Sequence, residues 1–297
     1  MKRALVLVIL IALSSLIVLL TVAQQEGRQP LFVFAHITDS HIARTTNYES
    51  VLNYLGSRSD VQLVVWTGDI TDHGYESEYQ TTVDAISSAG LSGKVIPAAG
   101  NHDWWGIGDT TRENLFKTYF NVPALNYTKL WNFTGSDGNT YTILFVVMTP
   151  ECDYATYGTN YRVRESEIWW LDEVLTQYSN IPAIVLIHYP PNVINATNPT
   201  LFNEFLSVLE KHNNVKLVLS GHGHTNDIWI FNHADGSQFA WIEGNDVVDD
   251  AGILLYYVYD TYIEVYYVTP TSNETLLYSL AIPMKPPTPQ IDFIRVR

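Results

Sequence analysis

Residues Val95 to Trp105 read Val-Ile-Pro-Ala-Ala-Gly-Asn-His-Asp-Trp-Trp, and the fold turns on them. An apolar run that stops at Gly100-Asn101-His102-Asp103 reads as a buried strand whose carboxyl end delivers polar groups into a crevice. Open α/β sheets keep their sites at such ends. The amide oxygen of Asn101 can ligate a hard metal, His102 can exchange a proton, and Asp103 can orient an imidazole through a hydrogen bond. Taken alone, the four residues also describe a strand-to-helix turn with Gly100 at positive φ and Asn101 or Asp103 as N-cap. Core packing is expected for one of Trp104 and Trp105.

Four further polar clusters decide between these readings. Upstream, residues 31–38 (Leu-Phe-Val-Phe-Ala-His-Ile-Thr) form an apolar strand that delivers Asp39-Ser40-His41. Residues i and i+2 of an extended chain point the same way, so Asp39 and His41 can grip one metal together. His36 is out of phase with them and reads as a satisfied core histidine. Val61 to Thr67 has the continuous apolar character of a parallel strand covered on both faces, and it ends at Gly68-Asp69. The next residues, Asp72 and His73, read as a solvated loop, with a supporting place behind the metal ligands as the alternative. Downstream, Ala183 to Ile187 ends at His188-Tyr189-Pro190-Pro191, and Val215 to Ser220 ends at Gly221-His222-Gly223-His224. Histidines flanked by glycine are hard to explain by packing, because glycine removes the side chains that would pack.

Helices are expected near 47–57, 75–88, 110–120, 164–178 and 199–211; in the fourth, Ile168, Leu171, Val174 and Leu175 fall at helical spacing. Tyr127 to Phe133 and Tyr141 to Met148 flank a Gly135-Ser136-Asp137-Gly138-Asn139 turn and read as a hairpin. The Tyr- and Gly-rich loop 149–164 is long enough to wall a site; Arg162 and Arg164 are expected at the surface, with contact to a phosphate as the alternative. Residues 226–283 read as a meander of short strands antiparallel to one sheet edge.

With 297 residues, 46% of them hydrophobic and 13% aromatic, the chain can bury a sizeable core. A formal charge of -15 argues against nonspecific nucleic-acid binding, which needs basic patches. An anionic substrate would then need a local cation, and a bound metal supplies one. Met1-Lys2-Arg3, followed by an uncharged, largely apolar run from Ala4 to Ala23, fits a secretory signal peptide or an N-terminal membrane anchor. Either form places the protein outside the cytoplasm, secreted or tethered to a membrane. Residues 1–25 are therefore set apart from a single domain at 26–285 and a loose tail at 286–297. Cys152, the only cysteine, leaves no intramolecular disulfide. Asn126, Asn132, Asn195 and Asn273 each open an Asn-x-Thr triplet, which permits N-glycans in a suitable exporting cell.

Imidazoles, carboxylates and an amide at successive strand ends suit two transition-metal divalents in mixed N/O shells. The order Asp-x-His, Gly-Asp, Gly-Asn-His-Asp, His, Gly-His-Gly-His resembles that of the calcineurin-like metallophosphoesterase superfamily, with motifs spanning residues 37–224. The resemblance implies an α/β (α+β) fold, a four-layer αββα sandwich with its site at strand ends. It implies that Asp39, His41 and His224 hold one metal, that Asn101, His188 and His222 hold a second, and that Asp69 bridges them. His102 is then left as the acid or transition-state stabiliser, with Asp103 behind it. The expected activity is hydrolysis of a phosphodiester or small phosphomonoester by a hydroxide that two divalent ions (Mn, Fe, Zn or Co) bridge and activate. The chain has no room for the extra C-terminal domain of the superfamily's nucleotidases. Purple acid phosphatases carry a tyrosine soon after Gly-Asp to ligate ferric iron; Ile70-Thr71-Asp72 stands here instead, so a purple enzyme is not expected. The competing readings are a catalytically idle surface module that keeps the fold and a single structural zinc, which the oxygen ligands fit poorly.

Overall fold

Strand β1 (Phe32–Ile37) turns Phe32 and Phe34 to one side and Val33, Ala35 and Ile37 to the other, and both sides are buried. An element apolar on both faces needs a layer on each side of it. The computed structural model, which describes residues 29–104, 109–150 and 163–284, supplies both layers. By internal contacts the chain divides into Met1–Pro30 and Leu31–Arg297, and all the elements below belong to the second unit.

In the first sheet β1 pairs in parallel with β2 (Val61–Thr67), which pairs in parallel with β3 (Val95–Ala98). On its other edge β1 takes an antiparallel meander of β10 (Ile253–Val258), β11 (Ile263–Val268) and β12 (Thr275–Leu280). The second sheet runs β4-β5-β6-β7-β9-β8. There β4 (Tyr127–Thr134) and β5 (Thr140–Met148) form the expected hairpin, followed by β6 (Ala183–Ile187) and β7 (Val215–Ser220) in parallel. Strands β8 (Ile228–Asn232) and β9 (Gln238–Glu243) complete it. Pro97, which has no N–H to give a ladder, lies in edge strand β3.

Three apolar layers hold these sheets. Phe34, Leu63 and Val65 of the first sheet meet Phe145, Ile184, Leu186, Leu217 and Leu219 of the second, with Phe32 stacked on Phe133 at 4.1 Å. Outside the first sheet, Val64 and Trp66 pack on α1 (Asn47–Ser57), α2 (Glu76–Ser88) and α4 (Thr110–Phe120) through Leu52, Tyr79 and Phe116. Outside the second, Val146, Val185 and Trp241 pack on α5 (Glu165–Gln177) and α7 (Pro199–Lys211) through Leu171, Leu175 and Phe205. The result is the four-layer αββα sandwich that the resemblance implied. Two short helices, α3 (Asn101–Trp104) and α6 (Pro191–Thr197), follow β3 and β6 directly.

The expected meander over 226–283 is half right. Only β10 to β12 form it; β8 and β9 join the other sheet, and β9 lies parallel to β7. Phe239, Ala240, Trp241 and Ile242 are wholly buried, an apolar run on both faces that belongs in a sheet interior. Arg164 caps α5 and pairs with Glu167 at 2.7 Å, a surface role as expected. His36 is buried with Nε2 2.7 Å from the Thr67 hydroxyl, and burial pushes its pKa down to about 3. Trp104 packs in the core. Trp105, Cys152, Arg162, the segments 1–25 and 286–297 and most of the loop 149–164 lie outside the described residues. No helix among the described residues is long and apolar enough to cross a membrane.

Helix α4 ends on Asn121 in the left-handed region (φ 52, ψ 47), while the Val122 N–H closes back on the Lys117 carbonyl at 3.1 Å. Glycine takes this conformation without the Cβ penalty, and alanine does not take it readily. In urea melts Asn121→Gly should gain about 0.5 kcal/mol or more and Asn121→Ala should lose about 1 kcal/mol. Equal stability of the two variants would contradict this account of the cap.

Candidate metal centre

The ends of β1, β2, β3, β6 and β7 bring the polar clusters of the sequence to one rim of the sandwich. Ligand atoms of Asp39, His41 and His224 lie within 4.8 Å of one another, and so do those of Asp69, His188 and His222. The two groups adjoin at His188, whose Nε2 is 3.2 Å from Asp69 Oδ2 and 4.0 Å from Asp39 Oδ1. His102 forms a further group of the same size with His41 and Asp69, its ring edge-on to His41 at 4.5 Å.

The backbone bends sharply to make this possible. Asp39, His41, Asp69, His222 and His224 all have positive φ, between 42 and 76. A left-handed non-glycine residue costs energy and persists only where its surroundings impose it. Hydrogen bonds across the rim do so: His222 N–H donates to Asp39 Oδ2 and His102 N–H to Asp69 Oδ1, both at 2.8 Å. Two glycines make room for those carboxylates. A Cβ on Gly221 would lie 2.4 Å from Asp39 Oδ2, and one on Gly100 would lie 2.2 Å from Asp69 Oδ1. The glycines beside the histidines and before Asn101 are therefore required by close approach.

Among the candidate ligands, two imidazoles are hydrogen-bonded through Nδ1 and a third, His224, is ion-paired there. In His188 that nitrogen lies 2.7 Å from the Thr67 carbonyl, in His41 3.0 Å from Asp72 Oδ1 and in His224 3.4 Å from Asp246 Oδ2. An Nδ1–H held by an outer oxygen leaves Nε2 as the ligating nitrogen, the usual arrangement behind metal-bound histidine. The Nε2 of His188, Oδ1 of Asp39 and Oδ1 of Asn101 are buried and make no directed hydrogen bond. Buried polar atoms in proteins are nearly always satisfied, so three such atoms gathered on one rim fit the ligation of cations. The His/Asp groups can thus hold metal, and their N and O donors suit first-row divalents.

Charge points the same way. Burial works against ionisation of Asp39, yet His188 and His224 hold its carboxyl below the usual range. Asp69 is likewise lowered against burial, by His188, His102 and His41. His188, despite burial, is pushed up to about 10 by Asp69 and Asp39. Burial and the neighbouring His188 push His222 down to about 4. A field that holds a proton on a wholly buried imidazole also attracts a divalent cation.

Two expectations need correction. Asp103 does not orient His102. Its carboxylate turns inward and accepts from Gly100 N–H, Ile70 N–H, Thr71 N–H and the Thr71 hydroxyl at 2.8 to 3.1 Å. Burial and the Asp69 charge raise it to about 6. Consecutive residues of a helical turn point about 100° apart, so 102 and 103 cannot both face the rim. The His102 Nδ1 instead meets the Asp72 carbonyl at 2.7 Å. Asp72 is no mere solvated loop residue, since its carboxylate holds His41; His73, with a side chain 45% exposed, pairs with Glu78. Sequence reasoning missed Asp246 altogether, because nothing in local spacing links it to His224.

Comparison with known proteins agrees with this geometry. Residues 32–226 match the family described as calcineurin-like phosphoesterase. A protein of Synechococcus sp. named a probable cyclic nucleotide phosphodiesterase is 26% identical over 206 residues, 64% of this chain and 72% of that one. A Nostoc sp. protein named a 3',5'-cyclic-nucleotide phosphodiesterase is 26% identical over 214 residues, 64% of this chain and 70% of its own. Among solved structures, a purple acid phosphatase from yellow lupin aligns with a TM-score of 0.61 at 14% identity, covering 86% of this chain and 54% of that one. A dimetal phosphatase from Danio rerio aligns with a TM-score of 0.55 at 17% identity, covering 86% of this chain and all of its own, 100%. At these identities the structural likeness speaks for the fold alone. The match of residues 32–226, which hold the Asp39 and Asp69 ligand groups at one rim of an αββα sandwich, means that this chain belongs to the calcineurin-like phosphoesterase family.

Proposed function

We propose that this chain is an exported phosphodiesterase that works with two divalent metal ions. The observation that carries the reading is the adjoining pair of ligand groups around Asp39 and Asp69, with His102 beside them. In this reading Asp39, His41 and His224 hold one ion, Asn101, His188 and His222 hold the other, and Asp69 lies between. Bound there, the ions would supply positive charge for phosphoryl oxygens and bring the pKa of water near neutrality. They also answer how a chain of charge -15 accepts an anionic ester.

His102 is the group left to serve the leaving oxygen. Its side chain is 34% exposed, whereas that of His188 is fully buried, so His102 is within reach of a substrate lying on the rim. With the Nδ1 proton held by the Asp72 carbonyl, the imidazolium form of His102 carries its second proton on Nε2, and that proton passes to the leaving oxygen, leaving the ring neutral. The names of the cyanobacterial relatives favour a diester over a monoester and make a cyclic nucleotide the first substrate to assay. The basic Met1-Lys2-Arg3 and the apolar run Ala4 to Ala23 support export, by a cleaved signal or a retained anchor.

Three outcomes follow. Purified protein loaded with Mn, Zn, Fe or Co should carry two ions per chain by elemental analysis, and Asp69→Ala should lower the occupancy of both; one tightly held ion in active protein would rule out the dinuclear reading. His102→Ala should keep both ions and lose about 10² to 10⁴-fold in kcat/KM on an alkyl diester, with clearly less lost on an activated aryl ester. Equal losses on the two esters would assign His102 to phosphate binding and remove it as the acid. Cell fractionation should find residues 31–297 outside the cytoplasm, with N-terminal sequencing separating cleavage from anchoring; the full chain in the cytosol would defeat both.

A further inference from the structure

The loop between β9 and β10 crosses from the second sheet to the first and passes directly behind the metal centre. Its backbone is tied to both sheets: Gly244 N–H donates to the Ser220 carbonyl at 2.8 Å, and Val247 and Val248 N–H donate to the Thr38 and Asp39 carbonyls at 3.0 Å. Between these ties sits Asp246, 3% exposed. One of its carboxylate oxygens, Oδ1, accepts from the backbone N–H of Asp249 at 2.6 Å and of Asp250 at 3.3 Å, which fixes the side chain in place. The other, Oδ2, lies 3.4 Å from His224 Nδ1, while His224 Nε2 lies 3.4 Å from Asp39 Oδ1. The imidazole therefore spans two aspartates, one on the rim and one on the loop.

We propose that Asp246 is a positioning residue for the ion held by Asp39, His41 and His224: its carboxylate faces the Nδ1–H of His224, keeps the proton on that nitrogen and so turns Nε2 toward the side of Asp39. The assignment rests on the two-ion reading given above. Asp246 lies beyond residues 32–226, so the stretch that matches the family carries the ligand without the residue that orients it. The same loop holds Asp39 through its backbone, so one segment sets two ligands of one ion. Outer partners of this kind raise ligand basicity and fix the tautomer, and their loss costs about 10 to 100-fold in metal affinity.

The substitution that isolates this role is Asp246→Asn. Asparagine keeps one oxygen for the Asp249 and Asp250 amides but turns an NH₂ toward the His224 N–H, where it cannot accept. Metal-free full-length chain is dialysed against a buffered series of Mn²⁺ concentrations, bound Mn²⁺ per chain is counted, and melting of the metal-free protein is recorded alongside. Wild type should bind two ions; fewer would mean that the two-ion reading itself has failed. Asp246→Asn should melt as wild type does and lose affinity for one ion by about 10 to 100-fold, with the other changed by less than about threefold. Asp246→Ser, which keeps a short capping oxygen and cannot reach His224, should show the same selective loss. Wild-type affinity for both ions in folded Asp246→Asn would overturn the proposal, as would equal weakening of both. A third Mn²⁺ in wild type that Asp246→Asn removes would also overturn it, because the cluster of His224, Asp246 and Asp249 would then be a cation site in its own right.

Discussion

Two carboxylates withdrawn from water govern this end of the molecule. Asp39 and Asp69 are 0% and 2% exposed, on either side of His188 Nε2. A buried carboxylate must find positive charge and donors or give up its own charge. The donors come from the backbone at positions 102 and 222 and from the Thr38 hydroxyl, 2.7 Å from Asp39 Oδ2. The charge comes from imidazoles, and cations would complete it. Glycine at 100 and 221 follows from the same demand, because a donor amide reaches the carboxylate only where no Cβ stands in the way.

The strain of that rim is carried by the layers beneath it. Five of the candidate ligands hold left-handed backbone, and each sits two or four residues past a strand that is buried on both faces. Such strands cannot shift without opening two apolar layers at once, so the turns at their ends have little freedom to relax. A soft framework would let these ligands settle into ordinary conformations and spread apart.

Much of this was legible from local sequence. The strand ends were legible together, because Gly-His-Gly-His is hard to explain by packing and the other apolar runs break at polar residues that complete the same metal-binding set. The hairpin around Asp137-Gly138 and the helix at 165–177 were legible for the same reason: turn chemistry and periodicity are local. What failed was what depends on distant parts of the chain. The direction in which Asp103 points is set by the amides of Ile70 and Thr71, which approach it only in the folded sheet. The strand at 238–243 looked like part of a meander because short strands joined by turns usually are one. Its burial on both faces was visible in Phe-Ala-Trp-Ile, but the parallel neighbour that supplies it arises only from topology. Asp72 and Asp246 meet His41 and His224 across loops; the sequence admits such a place for Asp72 as an alternative, and no spacing rule reaches as far as Asp246.

The two candidate ion-binding groups, around Asp39 and around Asp69, each draw on both sheets. Asp39 and His41 extend from β1 and His224 from β7; Asp69 extends from β2, His188 and His222 from β6 and β7. The polar links follow the same seam, with His188 reaching the Thr67 carbonyl and His222 the Asp39 carboxylate. An ion in either group would act as a clasp between halves of the chain that are remote in sequence, closing a long loop much as a disulfide does. Peeling one sheet from the other and releasing the ions would then be a single event, and the protein's only cysteine would leave that clasp without a covalent substitute.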